Sequence, residues 1–144
     1  MSLINVEALK ATALIQTFKI KRNRMHLQGI RPLLYLHNDP TGTFTFTLKD
    51  GSDVLDSESF NASDIKAGAN FNDNEYHYGF FKLDFNAILN HDRLYTLELD
   101  SSGYTFSGSE YLGWIKEFEN ITNSFSDSIF SFHQKPFGYQ LWGY

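Results

Sequence analysis

Cysteine is absent from the 144-residue sequence, and its absence excludes several classes of protein. A chain without thiols has no disulfide scaffold, no thiolate zinc site, no iron–sulfur cluster and no cysteine nucleophile. Long apolar runs are also lacking, since none approaches the roughly 18 residues of a membrane-spanning helix. We therefore expect no membrane insertion, and a metal site would need histidine or carboxylate ligands.

The beginning of the sequence, Met1 to Glu7, lacks the basic segment and apolar core of a secretory signal peptide. With 42% hydrophobic and 20% charged residues, the chain is too apolar to be disordered. Its length is that of one compact domain. We expect a single globular domain that is made in a cytoplasm without a signal peptide.

The net charge of −5 is unevenly distributed, because residues 1–31 carry six basic side chains and one acid while the remainder is strongly acidic. A domain that is acidic overall repels a polyanion over most of its surface, so we expect no nucleic-acid binding. The basic cluster from Lys19 to Arg24 has two interpretations. It is either a solvated turn between strands or a docking patch for an acidic partner.

Alternation of apolar and polar residues is the dominant pattern, and it is clearest from Thr43 to Leu48. Three threonines face one way there, while Phe44, Phe46 and Leu48 face the other. This pattern predicts a half-buried strand. Residues that favour turns precede and follow it, so its limits are also predicted.

Other segments predict strands by the same reasoning. Leu33 to Leu36 is continuously apolar, which favours a central strand that is covered on both sides and begins at Pro32. The remaining strands are predicted in the ranges 13–20, 54–60, 76–85, 94–100 and 111–115, near Phe130, and across 137–141.

Helix signals are few. Asn61 to Lys66 is typical of a capped helical turn that ends at Gly68, and Phe85 to Asn90 predicts a second short turn. About eight short strands with one or two helical turns describe an all-β antiparallel sandwich or barrel. We predict an N-terminal arm over residues 1–12 and one β domain over residues 13–144, with a loop over 120–128.

Residues that could carry catalysis show no recognisable spacing. The five histidines are scattered, and no nucleophile elbow, phosphate loop or dinucleotide fingerprint occurs. The carboxylates of interest occupy strand positions that face water: Asp53, Asp56, Glu58, Asp84, Glu98 and Asp100. We expect no catalytic residues, no cofactor and no enzymatic activity.

The acidic segment Asn72 to Glu75 allows two interpretations. Its oxygens suit a calcium ion, but the spacing of an EF-hand is missing. Asp and Asn are equally typical of a tight connection ahead of a strand. We favour the turn and predict no metal site.

The 24 aromatic residues (14 Phe, 8 Tyr and 2 Trp) are more than one small core requires. Those that do not fill the core could stack on the apolar faces of sugars or form a protein interface. The cluster from Phe137 to Tyr144 is interpreted as core on one face and subunit contact on the other. Our candidates for ligand or partner binding are Tyr104, Tyr111, Trp114 and Trp142, with Tyr76 and Tyr78 as further exposed rings.

The order of these motifs resembles the galactose-binding-like jelly-roll modules, a carbohydrate-binding-module type of β-sandwich found in bacteriophage tail and virion proteins. The opening strand Ala13 to Phe18 and the Tyr-x-Leu-x-Leu strand within Asn90 to Leu99 are similar to strands of that family. The other matching segments are Gly29–Leu36, Pro40–Leu48, Asp53–Ile65, Tyr78–Phe85, Tyr111–Trp114 and Pro136–Tyr144.

This resemblance implies a two-sheet jelly roll and a non-catalytic structural or adhesion protein. It favours an accessory subunit of a bacteriophage virion, located in the tail, baseplate or capsid surface and assembled with other virion subunits or with copies of itself. The alternative is a carbohydrate-binding module that recognises cell-surface or polysaccharide glycans. Members of the family that bind ligands use loop aromatics and sometimes a structural calcium ion.

Overall fold

The computed structural model describes residues 5–116, 128–129 and 139–143. Within them the chain forms one short helix and twelve strands, more than the eight or so predicted, because several edge strands are too short to show a pattern. The elements are Asn5–Ala8 (β1), Leu14–Ile20 (β2), Arg24–His37 (β3), Thr43–Asp50 (β4), Asp53–Asn61 (β5), Ala62–Gly68 (α1), Phe71–Asn72 (β6), Tyr76–Phe80 (β7), Leu83–Asn90 (β8), Tyr95–Ser102 (β9), Tyr111–Lys116 (β10), Ser128–Ile129 (β11) and Tyr139–Gly143 (β12).

The strands form two antiparallel sheets, which confirms the predicted all-β two-sheet sandwich. The first sheet has the order β1-β10-β3-β7-β6, and β12 and β8 flank the other half of β3. The second sheet has the order β11-β2-β9-β4-β5. The strand β3 is therefore the central element of the first sheet.

The core lies between the sheets and is built by alternation. In β4 the side chains of Phe44, Phe46 and Leu48 are fully buried, while the threonines between them face outward. The same period buries Tyr95, Leu97 and Leu99 in β9. The prediction of these strands and of their buried faces is confirmed, since a period of two leaves one face for the core.

The strand β3 departs from the prediction at Pro32. Pro32 lies inside the strand and does not begin it. The neighbours of β3 change at this point, because β8 and β12 pair with its first half and β7 and β10 with its second. A residue without an N–H is tolerated where the ladder is interrupted, and the Pro32 carbonyl still accepts a hydrogen bond from the Phe81 N–H (2.9 Å).

The prediction of a helical turn over Phe85 to Asn90 is wrong. These residues belong to β8, in which every second side chain is buried. The predicted turn after Asn61 is confirmed as α1, where the Asp64 carboxylate accepts a hydrogen bond from the Asn61 N–H (2.9 Å). Within the described residues, no helix has the length and hydropathy to cross a membrane.

The N-terminal segment differs from the predicted arm of residues 1–12. Asn5–Ala8 pairs with β10 as an edge strand, and Leu9 is buried with its N–H bonded to the Leu112 carbonyl (2.8 Å). The arm is thus part of the sandwich from residue 5 onward. The predicted strand near Phe130, most of the predicted loop over 120–128, and Phe137 and Tyr144 lie outside the described residues.

Candidate functional site

The outer face of the first sheet carries aromatic side chains on three neighbouring strands. In β3 the side chains of Leu34 and Leu36 are fully buried, so Tyr35 and His37 point to the opposite face. The pairing of β3 with its two neighbouring strands then places further rings beside them. Tyr78 lies opposite Tyr35 in β7, Tyr76 lies opposite His37 in the same strand, and Tyr111 of β10 lies opposite His37 on the other side.

These rings make a continuous series, which we call the aromatic row. Phe71 lies 4.8 Å from Tyr78 and 5.6 Å from Tyr76, and Tyr76 lies 6.1 Å from Tyr35, measured between ring centroids. Tyr35 is 5.8 Å from Tyr111, and His37 is 5.3 Å from Tyr111. The complete row consists of Phe71, Tyr78, Tyr76, Tyr35, His37, Tyr111 and Phe106.

The rings of the row stand on the sheet in offset stacks. Neighbouring planes differ by only 15° between Phe71 and Tyr76 and by 11° between His37 and Tyr111. Nearly parallel rings at centroid distances below 6 Å are offset from each other and not coplanar, because coplanar rings at that distance would clash. The row therefore presents ring edges and phenolic hydroxyls to solvent.

The two ends of the row are its most exposed parts. Phe71 is 39% exposed and belongs to β6, the edge strand of the sheet. Phe106 is 36% exposed, and the Lys10 Nζ lies 5.2 Å from its ring centroid. The Phe71 ring is thus partly exposed at the edge strand, and no described strand lies beyond it.

Two hydroxyls of the row, those of Tyr35 and Tyr76, have a raised pKa. The Tyr35 Oη lies 3.1 Å from the His37 Nδ1, within hydrogen-bonding distance. Burial, followed by the nearby Tyr111, raises the pKa of Tyr35 to about 12. A hydrogen bond to Asp73 raises the pKa of Tyr76. The phenols of Tyr35 and Tyr76 therefore act as uncharged hydrogen-bonding groups at neutral pH.

The segment from Asn72 to Glu75 orients one end of the row. The Asp73 carboxylate accepts a hydrogen bond from the Asn74 N–H (2.6 Å), and the Asp73 N–H donates to the Tyr76 carbonyl (2.8 Å). These bonds are those of a tight connection between β6 and β7. Among the described residues, no three His, Asp or Glu side chains are placed to hold a metal ion.

Of the four predicted binding residues, Tyr111 lies in the row, whereas Tyr104 has a structural position. The Tyr104 hydroxyl donates to the Leu9 carbonyl (2.9 Å) and accepts from the Leu112 N–H (3.2 Å). Its ring packs edge-on against Phe44, with 5.2 Å between centroids. Tyr104 thus ties the N-terminal segment to β10.

Trp114 must be removed from the set of surface candidates. Its side chain is fully buried, and its indole meets Phe46 edge-on at 5.0 Å between centroids. Leu112 and Trp114 face the core because the register of β10 with β3 places these two side chains on the inner face of the sheet. A ligand on the outer face therefore cannot reach the Trp114 ring.

Trp142 lies on the same outer face as the row, but at the other half of β3. It pairs with Gly29, and a Cβ added at Gly29 would clash with its indole, so the ring covers the glycine. The Arg31 Cζ lies 5.0 Å and the Lys82 Nζ 5.7 Å from the ring centroid. The structure therefore separates Trp142 from Tyr111.

A polar cleft of about 370 Å³ lies where β8 meets β5. The Asp56 carboxylate accepts from the Asn86 N–H (2.7 Å) and from the Ser57 N–H (2.8 Å). The His26 Nε2 lies 2.6 Å from the Asn86 Oδ1. Asp56 and Asp84 are the two carboxylates, of those considered from sequence, that line this cleft, and Asp56 is engaged by backbone donors.

Sequence reasoning missed four members of the row: Tyr35, His37, Phe71 and Phe106. For Tyr35 and His37 a signal exists, since they alternate with Leu34 and Leu36 and carry the polar atoms of that segment. Phe71 and Phe106 lie in a two-residue strand and a loop, where no period can be read.

No family model matches the chain, and no curated protein is significantly similar to it. The resemblance to jelly-roll modules of bacteriophage proteins therefore stays a prediction.

Proposed function

We propose that the chain is a non-catalytic adhesion module that binds carbohydrate on the outer face of its first sheet. The observation that carries this proposal is the aromatic row itself. Seven neighbouring rings lie on a face that the core does not use, and four of them are tyrosines. A sheet of this kind needs no such series on its solvent side.

Carbohydrate is the ligand class that suits the chemistry of the row. A sugar combines apolar C–H groups with many hydroxyls, and the row combines apolar ring edges with hydroxyls that both donate and accept. The partly exposed ring of Phe71 supplies apolar surface at one end. Two-angle side chains such as tyrosine also lose little conformational entropy on binding.

Placement on a bacteriophage particle is the wider form of this proposal. It rests on the resemblance of the strand motifs, and it would make the module an accessory virion subunit that contacts host glycans. The native mass of the material from which the protein is recovered tests it. A mass of a large particle supports it, whereas a free monomer in infected cells contradicts it.

The test of carbohydrate binding removes hydroxyls without removing rings. Tyr111→Phe and Tyr78→Phe keep the stacks, and we expect each to weaken binding on a glycan array or in pull-downs with insoluble polysaccharides. Tyr111→Ala also opens the stack and is expected to lose about tenfold or more in affinity.

The matched control is Thr47→Ala on the outer face of the second sheet, which should bind as the wild type does. Absence of any bound glycan for the wild-type protein would contradict the proposal. Equal binding by Tyr111→Ala and Thr47→Ala would also contradict it, because the row would then not be the contact surface.

A further inference from the structure

The indole of Trp142 is held in a fixed position at the first half of β3. Gly29 lies directly opposite in the register, and only a residue without a Cβ leaves room for the ring to lie on the backbone. One face of the indole is therefore against the sheet. The side chain of Trp142 is half-buried.

Two cations lie close to the indole. The Arg31 guanidinium carbon and the Lys82 Nζ lie 5.0 Å and 5.7 Å from the ring centroid. The ring attracts each of them, but the two positive charges repel each other. A group that is shared by both cations would remove that repulsion.

Among the residues that the structure describes, the charges of this cluster are compensated only in part. Lys82 has Asp84 at 4.0 Å, a loose pair in which the carboxylate side chain is 79% exposed. Arg31 is exposed, and among the described residues no carboxylate forms an ion pair with it. Arg31 thus retains a fork of N–H donors that suits a planar carboxylate.

We propose that Trp142, Arg31 and Lys82 form a second subsite that binds the carboxylate of an acidic sugar, so that the ligand of this module is a uronate-containing polysaccharide. This inference rests on the proposed carbohydrate binding and specifies its ligand. Tyr35 is six positions after Gly29 in β3, which places the subsite about 20 Å from the aromatic row on the same face. One extended chain can contact both.

The neighbouring cleft agrees with a sugar ligand. It contains hydrogen-bonding groups of Gln28 and Asn86, and Asp84 belongs to both the cleft and the cation cluster. A bound uronate would therefore direct its carboxylate towards Arg31, away from Asp84, and its hydroxyls towards the cleft. Like-charge repulsion from Asp84 fixes this orientation.

The experiment compares two forms of one oligosaccharide on the full chain. An oligogalacturonate and its methyl-esterified form have the same sugar backbone and differ in charge. Calorimetry should show that the charged form binds about tenfold or more tightly, and that this advantage declines with added salt. The indole N–H signal of Trp142 in NMR spectra should shift on titration.

The variant that tests the site is Arg31→Gln, and the matched control is Arg24→Gln on the same strand. Arg31→Gln should abolish the preference for the charged form, while Arg24→Gln should keep it. Equal losses in both variants would reveal a general charge effect and overturn the assignment. The same conclusion follows if both forms bind the wild type equally well.

Failure of this inference is distinguishable from failure of the proposed function. If neutral glycans bind and respond to Tyr111→Ala, but oligogalacturonate shifts no Trp142 signal, the acidic subsite is refuted and carbohydrate binding stands. If no glycan of either kind binds, both are refuted. A Trp142→Phe variant, which keeps a ring over Gly29, checks that losses do not arise from unfolding.

Discussion

The outer faces of the two sheets have the same architecture and opposite chemistry. The first sheet carries the aromatic row, whereas the outward side chains of β4 and β9 include Thr45, Thr47 and Thr96, with a Lys49–Glu98 ion pair (2.9 Å). Threonine and tyrosine both suit strands, so the requirements of the sheet do not explain the difference. The threonine-rich face is what this fold needs in water, and the rings are an addition that the proposed binding would explain.

The largest loss of stability is expected for a substitution on the inner face of β10. This loss is the reference for substitutions on the outer faces. Trp114→Ala should lower the free energy of unfolding by about 3–5 kcal/mol, because it leaves a cavity beside Phe46. Tyr111→Ala, three residues earlier on the same sheet, should cost only about 1 kcal/mol of cross-strand stacking. Urea unfolding measures both. Equal costs would mean that the row is part of the structural core.

An exchange of residues between the two outer faces tests the comparison directly. Tyr35→Thr should weaken glycan binding about tenfold, equivalent to about 1.4 kcal/mol, with a smaller loss of stability. Thr47→Tyr should change stability little and create no glycan binding, since one isolated ring does not form a row. Glycan binding that is insensitive to the first change would remove the distinction between the faces.

High pH should affect the first sheet more than the second. The pKa of Tyr35 is raised to about 12 from its ordinary value of 10.0, chiefly by burial, so the folded state holds this proton more tightly than the unfolded state. Its contribution to stability is complete below pH 10.0 and is lost as pH rises towards about 12. Urea unfolding at increasing pH should show a steeper decline for the wild type than for Tyr35→Phe. Identical declines would contradict the shift.

The smallest effect is expected on the threonine-rich face. Glu98→Gln breaks the ion pair with Lys49, whose side chain is 30% exposed, and should cost less than about 1 kcal/mol. The cost should decrease at high salt. Asp100→Asn on the same strand is the control, with no loss expected beyond that of its bond to the Ser101 N–H. A loss above that of Tyr111→Ala would reverse the ranking of the two faces.

Alternation predicted the strands and most of their buried faces, because a period of two is a local property of the chain. It could not decide which face of β10 is buried, because Tyr111 and Ile115 alternate with Leu112 and Trp114 and both sets are apolar. Pairing with β3, which is distant in sequence, makes that choice and buries Trp114. The same ambiguity made the apolar run at Leu33 to Leu36 resemble a strand covered on both sides.

Only part of the candidate site could be predicted from the sequence. Tyr76, Tyr78 and Tyr111 were identified as aromatic candidates, but their association with Tyr35 depends on the order of β10, β3 and β7 in the sheet. Trp142 was identified as well, without its setting over Gly29, which is 113 positions earlier in the chain. Long-range register therefore determines which of the surplus aromatics meet.

The continuity of β3 through Pro32 bears on the length of the oligosaccharide that the proposed sites would select. One strand carries Tyr35 of the aromatic row and the backbone beneath Trp142, so the separation of about 20 Å between them is fixed by the rise of the strand. If both sites bind sugar as proposed, a short oligosaccharide would engage one end only. A chain long enough to reach both would gain from a high effective concentration at the second contact, so its affinity should rise in a step with the number of sugar units.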